Sequence, residues 1–428
     1  MESILHIRNK LHSLSFMEKH KVSIAAFSRV RKLTFATMFI LILRNSVKSL
    51  QLMLNEFTLD TNKDLSITAG AFTKARKKLK HTAYIELNDD IVNIYYKNND
   101  IKRLRGYRIL ACDGSKIVLP KTEEIKSEFG SKSIGNYMGK DFGEYTSATF
   151  QASYDVLNNI CVSASLGAGT SYEVNLAENM LDSFDGNDLL IYDRGYASYP
   201  FMATLLAKGL QFIIRCPRGA ISAIQTMFAD DAPPTKTLLI DVPRKQKRRV
   251  RERGLPSTVK IKLIRIILPT GEVEVLATSL LSDTEFEHNE FKHLYSLRWG
   301  VETFFSKLKS RLGLENFTGK TVESIKQDVW STVFISNLET IMVEDIEENI
   351  NVKEPNKSKK MINKSVSFNA IKNMAFEIFL DEPDPGLLFE RLNKLFRMNP
   401  ITVRKDRKVP RKKTSDTQSF NFQKRGVF

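Results

Sequence analysis

Cysteine is scarce in this chain and tryptophan scarcer, with three and two among 428 residues. Cys112, Cys161 and Cys216 are odd in number, widely spaced and each set among apolar residues, which argues against both a disulfide framework and a zinc site. They read as buried thiols in a reducing cytoplasm. Long apolar runs are missing from the N-terminal region as well: its most apolar stretch, Leu33 to Leu43, falls far short of the roughly 20 residues that span a bilayer. No signal peptide with a cleavage site precedes that stretch, so a soluble protein is expected. Acidic residues are the minority sign, 49 against 65 Lys and Arg, which leaves a net charge of +16 and a pI near 9.5. Such a surplus attracts a polyanion, and nucleic acid is the expected partner. A basic protein with no such partner is the alternative, and the distribution of the charge decides between them.

What is present fits a globular protein of two or three domains, with 42% hydrophobic and 10% aromatic residues. Residues 1 to about 95 carry helical spacing through Phe35, Met38, Phe39, Leu41 and Ile42, then Leu50, Leu52 and Leu54. Within this region the segment Ser66 to Lys80 begins with capping residues and continues as a basic helix, as a DNA-recognition helix does. A solvated cationic surface helix reads the same way. From Arg108 the period changes to short β-rich runs, Arg108 to Cys112, Tyr145 to Val156, Ile160 to Leu166, Leu189 to Tyr192 and Leu210 to Arg215, with helical stretches after Glu173 and Tyr199. The pattern is α/β with a mixed sheet.

A second strand group follows, Thr237 to Val242, Val259 to Leu268 and Glu272 to Leu280, read as an all-β insertion with no helix between its members. Between its first two strands, Arg244 to Arg253 holds seven basic residues against one acid, a density that a phosphate backbone would satisfy. A single long amphipathic helix is expected from about Thr284 to Leu312, with more helix from Ser324 to Val343. Residues 404 to 428 read as a basic flexible tail. The Gly-rich segment Gly135 to Gly143, with Tyr137 and Lys140, reads as a surface loop.

Three acids carry candidate chemistry. Asp113, in Leu110-Ala111-Cys112-Asp113-Gly114-Ser115, closes one apolar strand, and Asp193, in Leu190-Ile191-Tyr192-Asp193-Arg194-Gly195-Tyr196, closes another. In neighbouring strands they would lie side by side, where a divalent cation relieves their repulsion. Each alone also fits an ordinary strand-ending turn. Glu302 lies in a helical segment with Tyr295, Arg298 and Lys309. At about 100° per residue these four fall within an arc of roughly 60°, bordering the apolar face of Leu297, Val301, Phe304, Phe305, Leu308 and Leu312. Glu302 could thus lean over the sheet between cations that hold phosphate oxygens. The alternative is a plain exposed Arg–Glu pair at i,i+4.

Taken in order, Asp-Gly-Ser, Asp-Arg-Gly-Tyr and Tyr-x2-Arg-x3-Glu-x6-Lys resemble the motifs of the DDE transposases of bacterial insertion sequences, specifically the IS-four family. The resemblance covers about 107 to 317 through its motifs. It implies a ribonuclease-H-like mixed-sheet catalytic core, residues 96–216 and 282–345, interrupted by a β-rich insertion at 217–281. Flanking it would be a helical DNA-binding domain at 1–95 and a helical C-terminal region at 346–403. It implies that Asp113, Asp193 and Glu302 ligate two Mg²⁺ or Mn²⁺ ions for phosphodiester cleavage and strand transfer. It also implies that Tyr295, Arg298 and Lys309, with Arg194 and Lys307 beside the motifs, grip DNA phosphates. The implied partner is double-stranded DNA, the element's terminal inverted repeats and its target, engaged by a homodimer in a bacterial cytoplasm at the nucleoid. Some relatives stack a flipped base on a Trp of the insertion during hairpin formation, but Trp299 and Trp330 both lie outside it. An inactive DNA-binding copy, or a general nuclease on the same core, are the competing readings.

Overall fold

The computed structural model describes the chain except residues 1, 30, 45–48, 61–65, 134–135, 138–139, 142, 220, 354–357, 381–384 and 404–428. The tail expected at 404–428 and much of the Gly-rich loop therefore lie outside the described residues. Two compact units emerge, one of Met1–Asn99, Val118–Thr146 and Ser306–Phe428, the other of Asp100–Ile117 and Ser147–Phe305. This grouping differs from the linear division drawn at 95, 216 and 345.

In the first unit the reason is the 32-residue helix Val322–Lys353, which packs on the helices Phe35–Leu43 and Thr82–Asn98 and buries Ile325, Val329, Val333, Phe334 and Leu338. Phe35–Leu43 is apolar all round and buried throughout, and Thr34 caps it by accepting from the Thr37 amide at 3.1 Å. Tyr84 stacks on Phe39 with ring centroids 4.2 Å apart and donates its buried hydroxyl to the Phe39 carbonyl, while Phe334 meets Phe39 edge-on. The basic helix appears as Ala69–Arg76, capped by Thr68. Its last residue does not reach outward: Arg76 is 4% exposed and pairs with Asp328 at 2.7 Å and with Gln327 at 2.6 Å. Lys74 is the exposed cation of this helix, and Lys77 and the half-buried Lys78 follow it in the turn beyond.

The nine-stranded sheet is built from β1 (Arg108–Leu119), β2 (Glu144–Asp155), β3 (Ile160–Ala168), β4 (Asp188–Tyr192), β5 (Gln211–Cys216), β6 (Thr235–Asp241), β7 (Thr258–Ile267) and β8 (Val273–Thr278), with the short strand Ser131–Ser133 pairing antiparallel with the start of β2. Their spatial order is β3-β2-β1-β4-β5-β8-β7-β6. The first five follow the ribonuclease-H-like arrangement, an antiparallel β2–β3 hairpin beside β1, then β4 and β5 parallel to it. Central parallel strands are covered on both faces, which explains the unbroken apolar run of β4. On one face Leu110, Cys112, Leu190, Tyr192, Phe212 and Ile214 pack under Tyr199 and Phe201 of the helix Tyr199–Ala207. On the other, Ile109, Leu189, Ile191 and Ile213 pack under Phe291, Leu294 and Tyr295. All three cysteines are free and buried.

Two expectations change in detail. The strands β6 to β8 extend the core sheet, because β8 pairs antiparallel with β5. A short helix, Lys247–Glu252, does lie between β6 and β7: Val250 is its buried anchor, and an Arg248–Glu252 pair at i,i+4 braces its exposed face. The dense basic run thus holds together by projecting its cations outward from one apolar contact. The single helix expected over Thr284 to Leu312 is instead Glu290–Ser296, then Trp299–Ser306, then a π-helical turn Lys307–Arg311. No described helix is long and apolar enough to cross a membrane.

Candidate active site

The register between β1 and β4 builds the site. Arg108 pairs with Asp188 and Cys112 with Tyr192 in parallel alignment, so the residues that follow this ladder, Asp113 and Asp193, come in step; Asp193 leaves the end of β4 as expected, whereas Asp113 does not close its strand, because β1 runs on to Leu119. Arg108 also clamps Asp188 with two bonds of 2.6 and 2.8 Å, fixing that alignment where the strands begin. Asp193 then opens the short 3₁₀ turn Arg194–Tyr196.

Glu302 arrives on the helix Trp299–Ser306, which is seated over the β2–β3 hairpin by aromatic contacts. Phe304 stacks on Tyr154 at 4.6 Å, and Phe305 meets Phe150 at 6.0 Å. The closest approach is at Gly300, where a Cβ would stand 2.6 Å from Cγ1 of Val156.

Arg298, in the turn just before that helix, joins the acids. Its guanidinium donates to Oε1 of Glu302 at 2.8 Å and to Oδ2 of Asp113 at 3.3 Å. Asp193 has its own donors: Tyr295 gives its hydroxyl to Oδ1 at 3.1 Å, and Arg215 lies 2.9 Å from the same atom while also binding Glu274 at 2.9 Å. Burial pushes the Asp113 carboxyl up to about 6, against the opposing effects of the Gly114 amide and Arg298, and Glu173 and Asp193 add to the rise. Burial acts on Asp193 in the same direction but is outweighed by the Arg194 amide, Arg215, Arg298 and the Tyr295 hydroxyl, so its carboxyl titrates below the usual range. Burial and the neighbouring Asp193 charge hold the Tyr295 phenol well above its ordinary value. Two carboxylates at the same level of adjacent strands thus sit in different environments, one well supplied with cations and one poorly. Among the described residues no three Asp, Glu, His or Cys side chains stand close enough to share a metal ion as placed. Arg298 spans the acids instead.

The model of the transposase DDE domain family matches residues 104–338, more than half of the chain and all three acids. This chain belongs to the transposase DDE domain family. Across 81% of its length it is 22% identical to the transposase InsG for insertion sequence element IS4 from Escherichia coli (strain K12), covering 76% of that protein. A solved structure of the piggyBac transposase synaptic complex with hairpin DNA aligns with 92% of this chain and 85% of that one, at 10% identity and a TM-score of 0.49. The transposase is therefore a DNA-cleaving and DNA-joining enzyme, a polynucleotidyl transferase that works on DNA in transposition.

Of the residues singled out in the transposase sequence, Asp113, Asp193, Tyr295, Arg298 and Glu302 come together in one unit. Arg194 presents an exposed side chain and contributes its backbone amide to Asp193. Lys307 and Lys309 belong to the other unit, half-buried in the π-helical turn, where burial lowers the Lys309 ammonium against the charge of Glu315. The π turn alters the 100° phase that placed Lys309 on the Glu302 stripe. Sequence reasoning missed Arg215, whose signal is a cation on the Ile213 face of a strand otherwise reserved for apolar side chains. It also missed Glu173, which packs on Gly114: a Cβ there would come within 2.8 Å of its carboxyl carbon.

Gly300 provides a sharp test of how the transposase seats Glu302. Gly300→Ala should lift the helix away from the hairpin and reduce DNA cleavage at least about tenfold, since a misplacement near 1 Å costs on the order of 100-fold. Val156→Ala in the same chain should restore most of the activity by removing the colliding methyl. Equal activity of Gly300→Ala and wild type in a nicking assay would show that the helix is not held by this contact.

Proposed function

We propose that the transposase binds the terminal inverted repeats of its own element and moves it by cut-and-paste, with Asp113, Asp193 and Glu302 as ligands of two Mg²⁺ or Mn²⁺ ions. The observation that supports this most is the parallel Cys112–Tyr192 register, which brings two carboxylates in step on adjacent central strands with Glu302 linked to one of them through Arg298. The donor set suits hard divalent cations, being all carboxylate oxygen. Asp113 in particular is desolvated, and its partners among the described residues are the Gly114 amide and a long contact to Arg298, which leaves it short of positive charge. When bound, such ions activate the attacking water or 3′-hydroxyl and stabilise the departing 3′-oxygen in an in-line displacement.

The chain's own side chains orient this centre. Tyr295 and Arg215 fix the Asp193 carboxylate from one side and keep it ionised. Arg298, Arg194, Lys307 and Lys309 are the proposed phosphate contacts of the cleaved strand, with Tyr295 beside them. A homodimer bridging two element ends, acting at the bacterial nucleoid, completes the reading, and the net charge of +16 favours that location.

Residues 1–95 are proposed to bind the DNA end. In support, a cleft of about 810 Å³ between the loop from Ala25 to Leu33 and the Ala69–Arg76 helix carries Arg29, Arg31, Lys32, Lys74 and Lys78. Replacing Lys74 and Lys78 with glutamine should weaken end binding and flatten its dependence on log salt by about 0.9 for each phosphate that is no longer neutralised. Titrations over a range of salt concentrations measure this directly, and an unchanged slope would remove the cleft from the DNA path.

The whole reading is tested with Mg²⁺ and DNA carrying the inverted repeats that flank the gene. Nicks should map to the repeat boundary, and light scattering of paired-end complexes should give two protomers. Cutting that ignores the repeats, or a single protomer on paired ends, would overturn it.

A further inference from the structure

Arg298 is in an unusual position for a residue that is to hold DNA. It is 4% exposed, both terminal nitrogens are engaged by acids, and its Nε is buried with no hydrogen-bond partner among the described residues. The guanidinium carbon lies 4.6 Å over the ring of Trp299, itself 51% exposed. A guanidinium cannot lose its proton to leave such a place, so it leaves only by moving. Its two anchors are unequal: the 2.8 Å bond to Glu302 falls in the range of charge-assisted hydrogen bonds, whereas the 3.3 Å contact to Asp113 lies outside it. It spans Asp113 and Glu302, and among the described residues no three acids are gathered for an ion.

We propose that Arg298 is a placeholder cation: it holds Asp113 and Glu302 in the metal-free enzyme, and a divalent ion displaces it from Asp113, releasing Nη1 toward a phosphodiester oxygen of bound DNA. The inference rests on the reading of the three acids as metal ligands. The weak end of the bridge is the one that gives way, while the Glu302 bond acts as the pivot. Metal and DNA then support each other through one side chain. The ion frees the phosphate-binding arm, and a phosphate that takes the arm removes the ion's competitor, so by linkage each raises the affinity of the other by the same factor. The arrangement also keeps the carboxylates compensated when no substrate is present, since an unpaired desolvated carboxylate is costly.

The test is Mn²⁺ binding to the full chain without DNA, followed by the free-ion electron paramagnetic resonance signal, for wild type, Arg298→Gln, Arg298→Lys and Asp193→Asn. Removing a cation beside a carboxylate changes its affinity for a positive partner by about ten- to a thousandfold, judged from the pKa shifts such neighbours cause. Arg298→Gln should therefore bind Mn²⁺ at least about tenfold more tightly than wild type. Arg298→Lys should fall between the two, because one ammonium cannot span both acids. Circular dichroism establishes that each variant is folded, and the Lys variant decides the direction if the Gln variant is not. Equal or weaker Mn²⁺ binding by the folded Arg298 variants, with binding still abolished in Asp193→Asn, would overturn the placeholder alone. If neither wild type nor Arg298→Gln binds Mn²⁺, or Asp193→Asn leaves binding unchanged, the metal-site reading falls and the placeholder with it.

Discussion

Changing Asp113 to Asn, Asp193 to Asn or Glu302 to Gln should each reduce Mg²⁺-dependent nicking of end-containing DNA by about 1,000-fold or more. Loss of an ion that stabilises charge in the transition state removes several kcal/mol, and about 4 kcal/mol corresponds to that factor. The substitutions keep volume and shape, so circular dichroism and the melting temperature should stay near wild type. The three are not equivalent in what they leave behind. Asp113→Asn leaves Arg298 bonded to Glu302, and Asp193→Asn leaves Arg215 with Glu274. Glu302→Gln deprives Arg298 of its shorter ionic contact and leaves only the 3.3 Å one. End binding measured without metal should survive in all three. Cleavage that persisted in every variant would remove these acids from the chemistry.

The second large effect concerns stability. Arg76→Ala should destabilise the first unit by about 3–5 kcal/mol, because it strands the carboxylate of Asp328 in a buried place. Asp328 would keep Thr318, which binds both of its oxygens, but would be deprived of the guanidinium that now stands 2.7 Å away. The double variant Arg76→Met with Asp328→Leu should recover a substantial part of the stability, since exchanging both partners for apolar groups avoids the stranded charge. Chemical denaturation read by circular dichroism provides the measurement. A destabilisation under about 1 kcal/mol for Arg76→Ala would place the pair in the class of surface ion pairs, contrary to its burial. This result bears on function too, because Arg76 lies in the helix whose basic character suggests DNA recognition, and its guanidinium is committed to the fold.

How much could be read from residues alone differs between the elements. The apolar run of β4 and the Asp that ends it were legible, because a strand covered on both faces must be apolar throughout and must close where the backbone turns. The Tyr-Arg-Glu spacing was legible as one helical face, and Tyr295, Arg298 and Glu302 do converge although the helix is broken between Ser296 and Trp299. The even helical period assumed through Lys309 does not hold, because a π turn adds a residue to the local period, and nothing in Lys307 to Arg311 announces it. The helix Lys247–Glu252 was hidden by its charge, since one buried Val250 gives no periodic signal.

Sequence by itself determined the chemistry available here: three carboxylates, the cations beside them, an α/β chain with a surplus of positive charge, and an order of motifs specific enough to point to its family. Which side chains meet was decided only by the tertiary structure. The parallel register aligned Asp113 with Asp193, the Gly300–Val156 contact seated Glu302, and β5 delivered Arg215 to Asp193 across 22 residues of chain. The physical reason is that a residue's type and its local period are written along the chain. The partner of a desolvated charge is chosen by strand neighbours and packed helices far away in sequence, where burial makes the choice matter.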